Sequence, residues 1–378
     1  MLQGEYKKRF LRGARRVVVK IGSQILSSPE GIERGRIKAL VGDLAALHDK
    51  GTKLVVVSSG AVAAGMTRLG LKERPKTIPQ KQALAAVGQI SLMALYEGYF
   101  ARFQKSVAQI LLTHDDLSDR HRYLNAKHTL KTLLDLSIIP IVNENDTVAV
   151  EEMKFGDNDH LSSLVATLLE ADLLVILSDV DGVYDRDPHL HREARLIPLI
   201  ADIKKAQEEL RGGSQSPYGT GGISSKVAAA EKAAAAGIPT LIANGQKDGI
   251  LSSIFNVKEE TGTLVLPREN RLAIRKHWIA YNLEPSGEII VDSGAYEALL
   301  QRGKSLLPSG LKEIHGSFGA GECVRCLDLK GKEFARGLVN YSAEELNRIK
   351  GLHTSKIEAV LGYKAYDEII HRDDLVLL

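Results

Sequence analysis

The sequence predicts an α/β protein: a mainly parallel sheet covered on both faces by helices, a three-layer αβα sandwich, followed by a small β-rich domain. Three observations lead there. Short β-branched runs at 17–19, 54–57, 107–112, 138–142, 173–177 and 239–243 alternate with longer amphipathic stretches, the pattern of βαβ units. Late in the chain this gives way to short strand-like runs broken by turn signals, among them Pro285-Ser-Gly287, Pro308-Ser-Gly310, Gly319-Ala-Gly321 and Lys330-Gly331. The length, 378 residues, exceeds the roughly 250 to 300 at which a single core stops growing.

Taken in order, residues 1–16 hold Lys7, Lys8, Arg9, Arg12, Arg15 and Arg16 and read as a basic, solvated tail. They contain no apolar stretch of signal-peptide length. The first domain spans 17–266, and within it the alanine-rich stretch 224–236, with serines at its start, predicts a helix behind a glycine-rich loop. The stretch from about 261 to 282, with Gly262, Pro267 and the basic residues Arg268, Arg271, Arg275 and Lys276, reads as the join between domains, its linker proper at 267–282. A second domain at 283–362 and a C-terminal extension at 363–378 complete the chain.

Composition narrows the function classes. With 44% hydrophobic and 26% charged residues the chain is globular, and its net charge of +3 argues for neither a nucleic-acid nor a membrane partner. Residues 282–378 carry 12 Lys and Arg against 15 Asp and Glu, the wrong sign for a phosphate-binding surface, so a nucleic-acid partner is not expected there. The longest apolar runs fall far short of the ~18 residues of a membrane helix. Cys323 and Cys326 form one isolated pair, short of a four-ligand structural metal site, and read as small apolar residues in a strand. Two thiols in so long a chain suit a reducing cytosol, so a cytoplasmic location is expected.

Ligands of a parallel sheet bind beyond the carboxyl ends of its strands, and the polar motifs fall there. Lys20-Ile-Gly-Ser23 follows the first run, Ser58-Ser-Gly-Ala61 the second, Asn143-Glu-Asn-Asp146 the fourth and Ser178-Asp-Val-Asp181 the fifth. Lys20 ends a run of three valines before Gly22; alone, such a lysine equally well extends to solvent. The small-residue turn at 58–65 suits a carboxylate held by N–H groups and the Ser59 hydroxyl, or tight helix packing. Asn143-Glu-Asn-Asp146 and Phe155-Gly-Asp-Asn-Asp-His160 are solvated loops or a site for an ammonium group and a phosphate. Gly219-Thr-Gly-Gly-Ile-Ser-Ser-Lys226 sets glycines and a lysine at a helix start, where backbone N–H groups and the helix dipole meet a phosphate. It is neither a Walker A loop nor a dinucleotide fingerprint.

Together these motifs, with Lys81-Gln-Ala-Leu-Ala-Ala-Val-Gly-Gln89 and Leu124-Asn-Ala126, resemble the amino acid kinase family. Within it they are most similar to the branch that phosphorylates the side-chain carboxylate of free glutamate, and the tail, with Gly287-Glu-Ile-Ile-Val-Asp-Ser-Gly-Ala295 and Ser305-Leu-Leu-Pro-Ser-Gly310, looks like a PUA module. The resemblance implies the amino acid kinase fold and ATP-dependent formation of L-glutamyl 5-phosphate, the first step of proline biosynthesis. It implies that Lys20 and Lys226 flank the transferring phosphoryl group and that Asp159 orients them. Ser59, Asp146 and Asn158 would bind glutamate. Lys20, Ser178, Asp179, Thr220, Gly221, Gly222, Ile223, Ser224, Ser225 and Lys226 would meet ATP. Mg²⁺ would be carried by the nucleotide rather than by a dedicated protein cage.

Further implications are feedback inhibition by proline, a homo-oligomer, and a glutamate-5-semialdehyde dehydrogenase as functional partner, since an acyl phosphate beside a free α-amine cyclises. An N-acetylglutamate kinase or an aspartokinase is the same-class alternative, and an RNA-binding or RNA-modifying protein the different-class one. The chemistry agrees with the first reading. A substrate carboxylate is already ionised at neutral pH and needs no general base, so the task is to bring two anions together and stabilise the spreading charge.

Overall fold

Three valines closing on Lys20 lie at the centre of the main sheet, which sets the position of everything that follows. The computed structural model describes residues 2–28, 31–73, 75–148, 158–186, 188, 191–203, 206, 221–256, 259–268 and 285–378. They divide into two compact units, residues 1–268 and 269–378.

In the first unit, α1 (Leu2–Phe10) precedes β1 (Arg16–Ile21), α2 (Ser23–Leu26), the short hairpin β2 (Ser27–Ser28) and β3 (Gly31–Ile32), α3 (Arg34–Asp49) and β4 (Lys53–Ser58). Then come α4 (Ala61–Leu69), α5 (Ile78–Ala101), β5 (Val107–Leu112), α6 (His114–Ser118), α7 (Arg120–Asp135), β6 (Ile139–Glu144), α8 (Asn158–Leu168) and β7 (Leu173–Ser178). The unit closes with β8 (Leu199–Ile200), α9 (Gly221–Ala235), β9 (Thr240–Asn244), α10 (Ile250–Phe255) and β10 (Thr263–Val265). The sheet order is β5-β6-β4-β1-β7-β9-β10-β8, and every neighbouring pair is parallel except β9 with β10.

Strand alternation builds the layers. Val17, Val19 and Ile21 of β1 share one core with Ile37, Leu40 and Leu44 of α3 and Leu92 and Tyr96 of α5. Val18 joins the opposite core, with Leu161 and Val165 of α8 and Val227 and Ala230 of α9. Both faces are covered, so the central strands read as continuous apolar runs. The same alternation turns Lys20 toward the face that α8 and α9 cover. Chain order reverses across β1: it pairs with β4 on one side and β7 on the other, which opens a crevice beyond their carboxyl ends.

Several boundaries differ from the sequence reading. Residues 2–10 form a helix rather than a solvated tail: Leu11 behind it is buried, and Lys7 is fully buried with its Nζ donating to the Glu259 carbonyl at 2.6 Å. A lysine so placed packs its stem and satisfies its charge on backbone oxygen. Burial pushes its pKa down against the pull of Glu259 and Glu260. Residues 263–265, inside the first domain as the sequence bounds it though within the turn-rich stretch leading to the join, are a strand of the main sheet with Leu264 and Val265 fully buried. The linker residues Arg271, Arg275 and Lys276 lie outside the described residues.

In the second unit β11 (Gly287–Val291), β12 (Leu311–Gly316), β13 (Cys323–Leu327), β14 (Glu333–Leu338) and β15 (Leu375–Leu377) form one sheet in the order β12-β11-β13-β14-β15. The residues read as a C-terminal extension supply β15 and core side chains Ile369, Ile370 and Leu375, and thus belong to this unit's core. Cys323 and Cys326 are buried in β13, and burial pushes the Cys326 thiol up to about 12. A thiol so held stays protonated and inert.

Candidate active site

At the crevice, Lys20 from β1, Asp159 from the first turn of α8 and Lys226 from the second turn of α9 converge. Lys20 and Asp159 are almost wholly withdrawn from solvent. The Lys20 ammonium pairs with Asp159 Oδ1, and Lys226 Nζ lies 3.4 Å from Oδ2. Ser225 completes the arrangement by donating its hydroxyl to Oδ2 at 2.8 Å. One carboxylate thus holds two ammonium groups, one per oxygen. Burial pushes the Asp159 pKa up, but the charges of Lys20 and Lys226 and the hydrogen bonds from Lys20 and Ser225 outweigh it and hold the carboxyl below its ordinary value. The α8 N-terminus adds a favourable dipole for the anion.

Beside this group lies a network of amides and hydroxyls. Asn158 Nδ2 donates to Ser59 Oγ at 2.9 Å, to Asn143 Oδ1 at 3.0 Å and to the Ser58 carbonyl at 3.3 Å. Asn143 Oδ1 also accepts from the Glu144 backbone N–H at 2.9 Å, and Asn143 Nδ2 donates to Gln89 Oε1 at 2.8 Å. Ser58 Oγ shares a hydrogen bond of 2.8 Å with the Tyr96 hydroxyl. The turn after β4 is possible because Gly60 takes φ +103°, a left-handed conformation that favours glycine, and thereby caps the start of α4. Ser59, Asn143, Asp146 and Asn158 line a cleft of about 1120 Å³. Asp146 is pushed above its ordinary carboxylate range by burial.

On the other side of β1, Ser178 and Asp179 follow β7, with Ser178 Oγ donating to Asp179 Oδ1 at 2.9 Å. Asn244 at the end of β9 and Lys247 beyond it hold Asp181, at 3.0 and 2.9 Å.

The structure therefore brings Lys20, Asp159 and Lys226 into direct contact, and Ser59 with Asn158; Asp146 lines the same cleft. Gly221 and Gly222 differ from the sequence reading: they begin α9 instead of preceding it, and Ile223, Ser224 and Ser225 continue it. Thr220 and residues 155–157 lie outside the described residues. Three participants went unassigned: Ser225 as a holder of Asp159, and Asn143 and Gln89 behind Asn158. Gln89 left a signal, a polar residue on the α5 stripe otherwise built from Leu84, Ala85, Gly88, Leu92, Tyr96 and Phe100.

The Amino acid kinase family matches residues 15–244 and the PUA domain residues 287–361. A glutamate 5-kinase of Pelobacter propionicus is 51% identical over 98% of this chain and 100% of its own length. One of Geobacter metallireducens is 54% identical over 97% of this chain and 99% of its own. Among solved structures, carbamate kinase from Giardia lamblia bound to AMP-PNP superposes with a TM-score of 0.50 at 14% identity, covering 67% of this chain and 99% of that one. That likeness concerns the fold alone.

Proposed function

The chain belongs to the amino acid kinase family, in its glutamate 5-kinase branch, and from that premise we propose that its site transfers the γ-phosphoryl group of ATP to the side-chain carboxylate of free L-glutamate. The observation that carries the reading is the Lys20–Asp159–Lys226 group at the sheet crevice, next to a cleft with donors and acceptors suited to an amino acid. A carboxylate oxygen attacks Pγ, the bond from Pγ to the β–γ bridging oxygen breaks, and ADP leaves with the bond's electron pair. L-Glutamyl 5-phosphate is the product, the opening intermediate of proline biosynthesis.

Two anions must meet in that step, and the transition state spreads charge over the equatorial phosphoryl oxygens. Lys20 and Lys226 supply the balancing charge. Asp159 holds them in place before substrate arrives, so little reorganisation is needed at the moment of reaction. Because its two oxygens are engaged by ammonium groups, Asp159 is poorly suited to hold a further cation. Mg²⁺ would arrive with the nucleotide rather than on a protein cage, and when bound would supply charge that neutralises the phosphates. Ser178, Asp179 and the start of α9 would face the nucleotide.

For the amino acid, Ser59 Oγ accepts from Asn158 and so has its proton left for a substrate carboxylate. Asn158 Oδ1 is buried and has no partner among the described residues, an acceptor suited to an ammonium group. Asp146 adds a negative charge. This set favours a free α-amine over an acetylated one, and thus glutamate over N-acetylglutamate.

The remaining roles follow from the same reading. Proline, with its own ammonium and carboxylate, would compete for these groups as a feedback inhibitor. The acyl phosphate product cyclises unless reduced, so a glutamate-5-semialdehyde dehydrogenase would consume it. A homo-oligomer is supported by an uncharged exposed stripe of α5, Ala83, Ala86, Ile90 and Ala94, with Ile90 73% exposed. Among the described residues no helix is long and apolar enough to cross a membrane, and the proposed location is the cytoplasm. ADP release measured side by side with glutamate, N-acetylglutamate and aspartate tests the reading. Glutamate should support the highest kcat/KM; preference for either of the others overturns the assignment.

A further inference from the structure

Gln89 lies 8% exposed in the middle of α5, at a position where the helix otherwise buries Leu84, Ala85, Leu92 and Tyr96. A polar side chain there costs stability unless it is bonded. Its Oε1 accepts from Asn143 Nδ2, whereas its own Nε2 has no partner among the described residues. Only the acceptor half of the amide is used.

The network behind Asn158 has one direction. Two backbone groups define it: the Glu144 N–H identifies Asn143 Oδ1 as an acceptor, and the Ser58 carbonyl identifies Asn158 Nδ2 as a donor. Asn143 Nδ2 must then donate, and Gln89 receives it. Asn158, held through its nitrogen by Asn143, Ser59 and Ser58, keeps a carbonyl oxygen with no partner among the described residues. Without an acceptor at position 89, the buried Asn143 amide nitrogen is unsatisfied, and turning it toward the cleft puts a donor where an ammonium group should bind and releases Asn158.

We propose that Gln89 is a positioning residue that holds Asn143 and, through it, Asn158, and so makes the site selective for an acid that carries a free ammonium group. This rests on the glutamate reading above. Gln89 itself lies behind the residues that would touch substrate.

The test compares Gln89→Met, which keeps the size and removes the acceptor, and Gln89→Ala, which removes both, with Gln89→Glu, which keeps an oxygen facing Asn143. Each full-length variant is assayed with glutamate and with glutarate, which lacks the ammonium group. The Met and Ala variants should raise the glutamate KM at least about tenfold, as expected when a buried group loses its partner, with kcat and the KM for ATP within about threefold. Their preference for glutamate over glutarate should fall by a similar factor, and Gln89→Glu should recover most of it. An unchanged preference in a folded Met or Ala variant overturns the proposal, as does failure of both to fold while Gln89→Glu folds, because the bond then serves stability alone. Absence of glutamate turnover in the unmodified chain overturns the functional reading itself.

Discussion

Asp159 is the residue on which the proposed chemistry turns, because one buried carboxylate holds two lysines. Those two lysines and Ser225 keep it ionised despite burial, so its contribution to stability is present in full above the ordinary carboxylate pKa and is lost as pH falls through its lower folded-state value. Lys226→Ala should lower kcat by about two to three orders of magnitude, the range for one lost transition-state donor, with a smaller effect on the glutamate KM. Steady-state kinetics checks this, and near-normal kcat would remove Lys226 from the proposed role. Asp146 behaves oppositely. Burial raises its pKa, so it should gain a proton at a higher pH than Asp159 does. As pH falls below neutrality, the glutamate KM should rise before kcat falls; a pH profile with kcat failing first would contradict the two environments. Lys20 was legible as a strand-end residue and Lys226 as a helix-start residue, whereas Asp159 stood in a polar cluster and was set beside them only by the family resemblance. Gln89 showed only as a polar residue on an apolar helix stripe, and its role was not legible, since its partner Asn143 is 54 residues away in sequence.

Helices α4 and α5 show how close backbone packing prepares the site. A Cβ on Gly88 would stand 1.8 Å from the Ala61 carbonyl oxygen and 2.3 Å from the Gly65 nitrogen, and one on Gly65 would stand 2.0 Å from the Leu84 carbonyl oxygen. The two helices meet backbone to backbone, and Gln89 and Tyr96 of α5 thereby reach Asn143 and Ser58 at the strand ends. Gly88→Ala should destabilise the protein by about 3 kcal/mol, because the obstructing atoms are backbone and overpacking costs are of this order. Denaturant unfolding measures it, and a change below about 0.5 kcal/mol would mean that the helices separate freely. The β-branched runs made the six long strands of the main sheet visible in advance. The short strands β8 and β10 were not visible, since two or three residues carry no periodicity, and β10 lies among turn residues. The basic residues of α1 hid a helix whose Lys7 is buried on a carbonyl oxygen.

At the scale of the whole molecule, every candidate site residue lies in the unit of residues 1–268, and the second unit has its own core around Ile289, Val324, Tyr341 and Ile369. Two separate cores predict two separately folding units. A chain ended after Arg268 should remain folded and retain turnover; a folded truncation with no activity would show that the second unit completes the site. The change from βαβ periodicity to turn-rich strands made the division legible, whereas the role of residues 363–378 became visible only when β15 was seen to pair with β14. In the proposed reaction the chain makes an acyl phosphate from free glutamate. Hydroxylamine trapping during turnover tests it most directly: with ATP and glutamate, γ-glutamyl hydroxamate plus cyclised product should equal the ADP released. ADP release without either product, or hydroxamate formed only from N-acetylglutamate, would contradict the account.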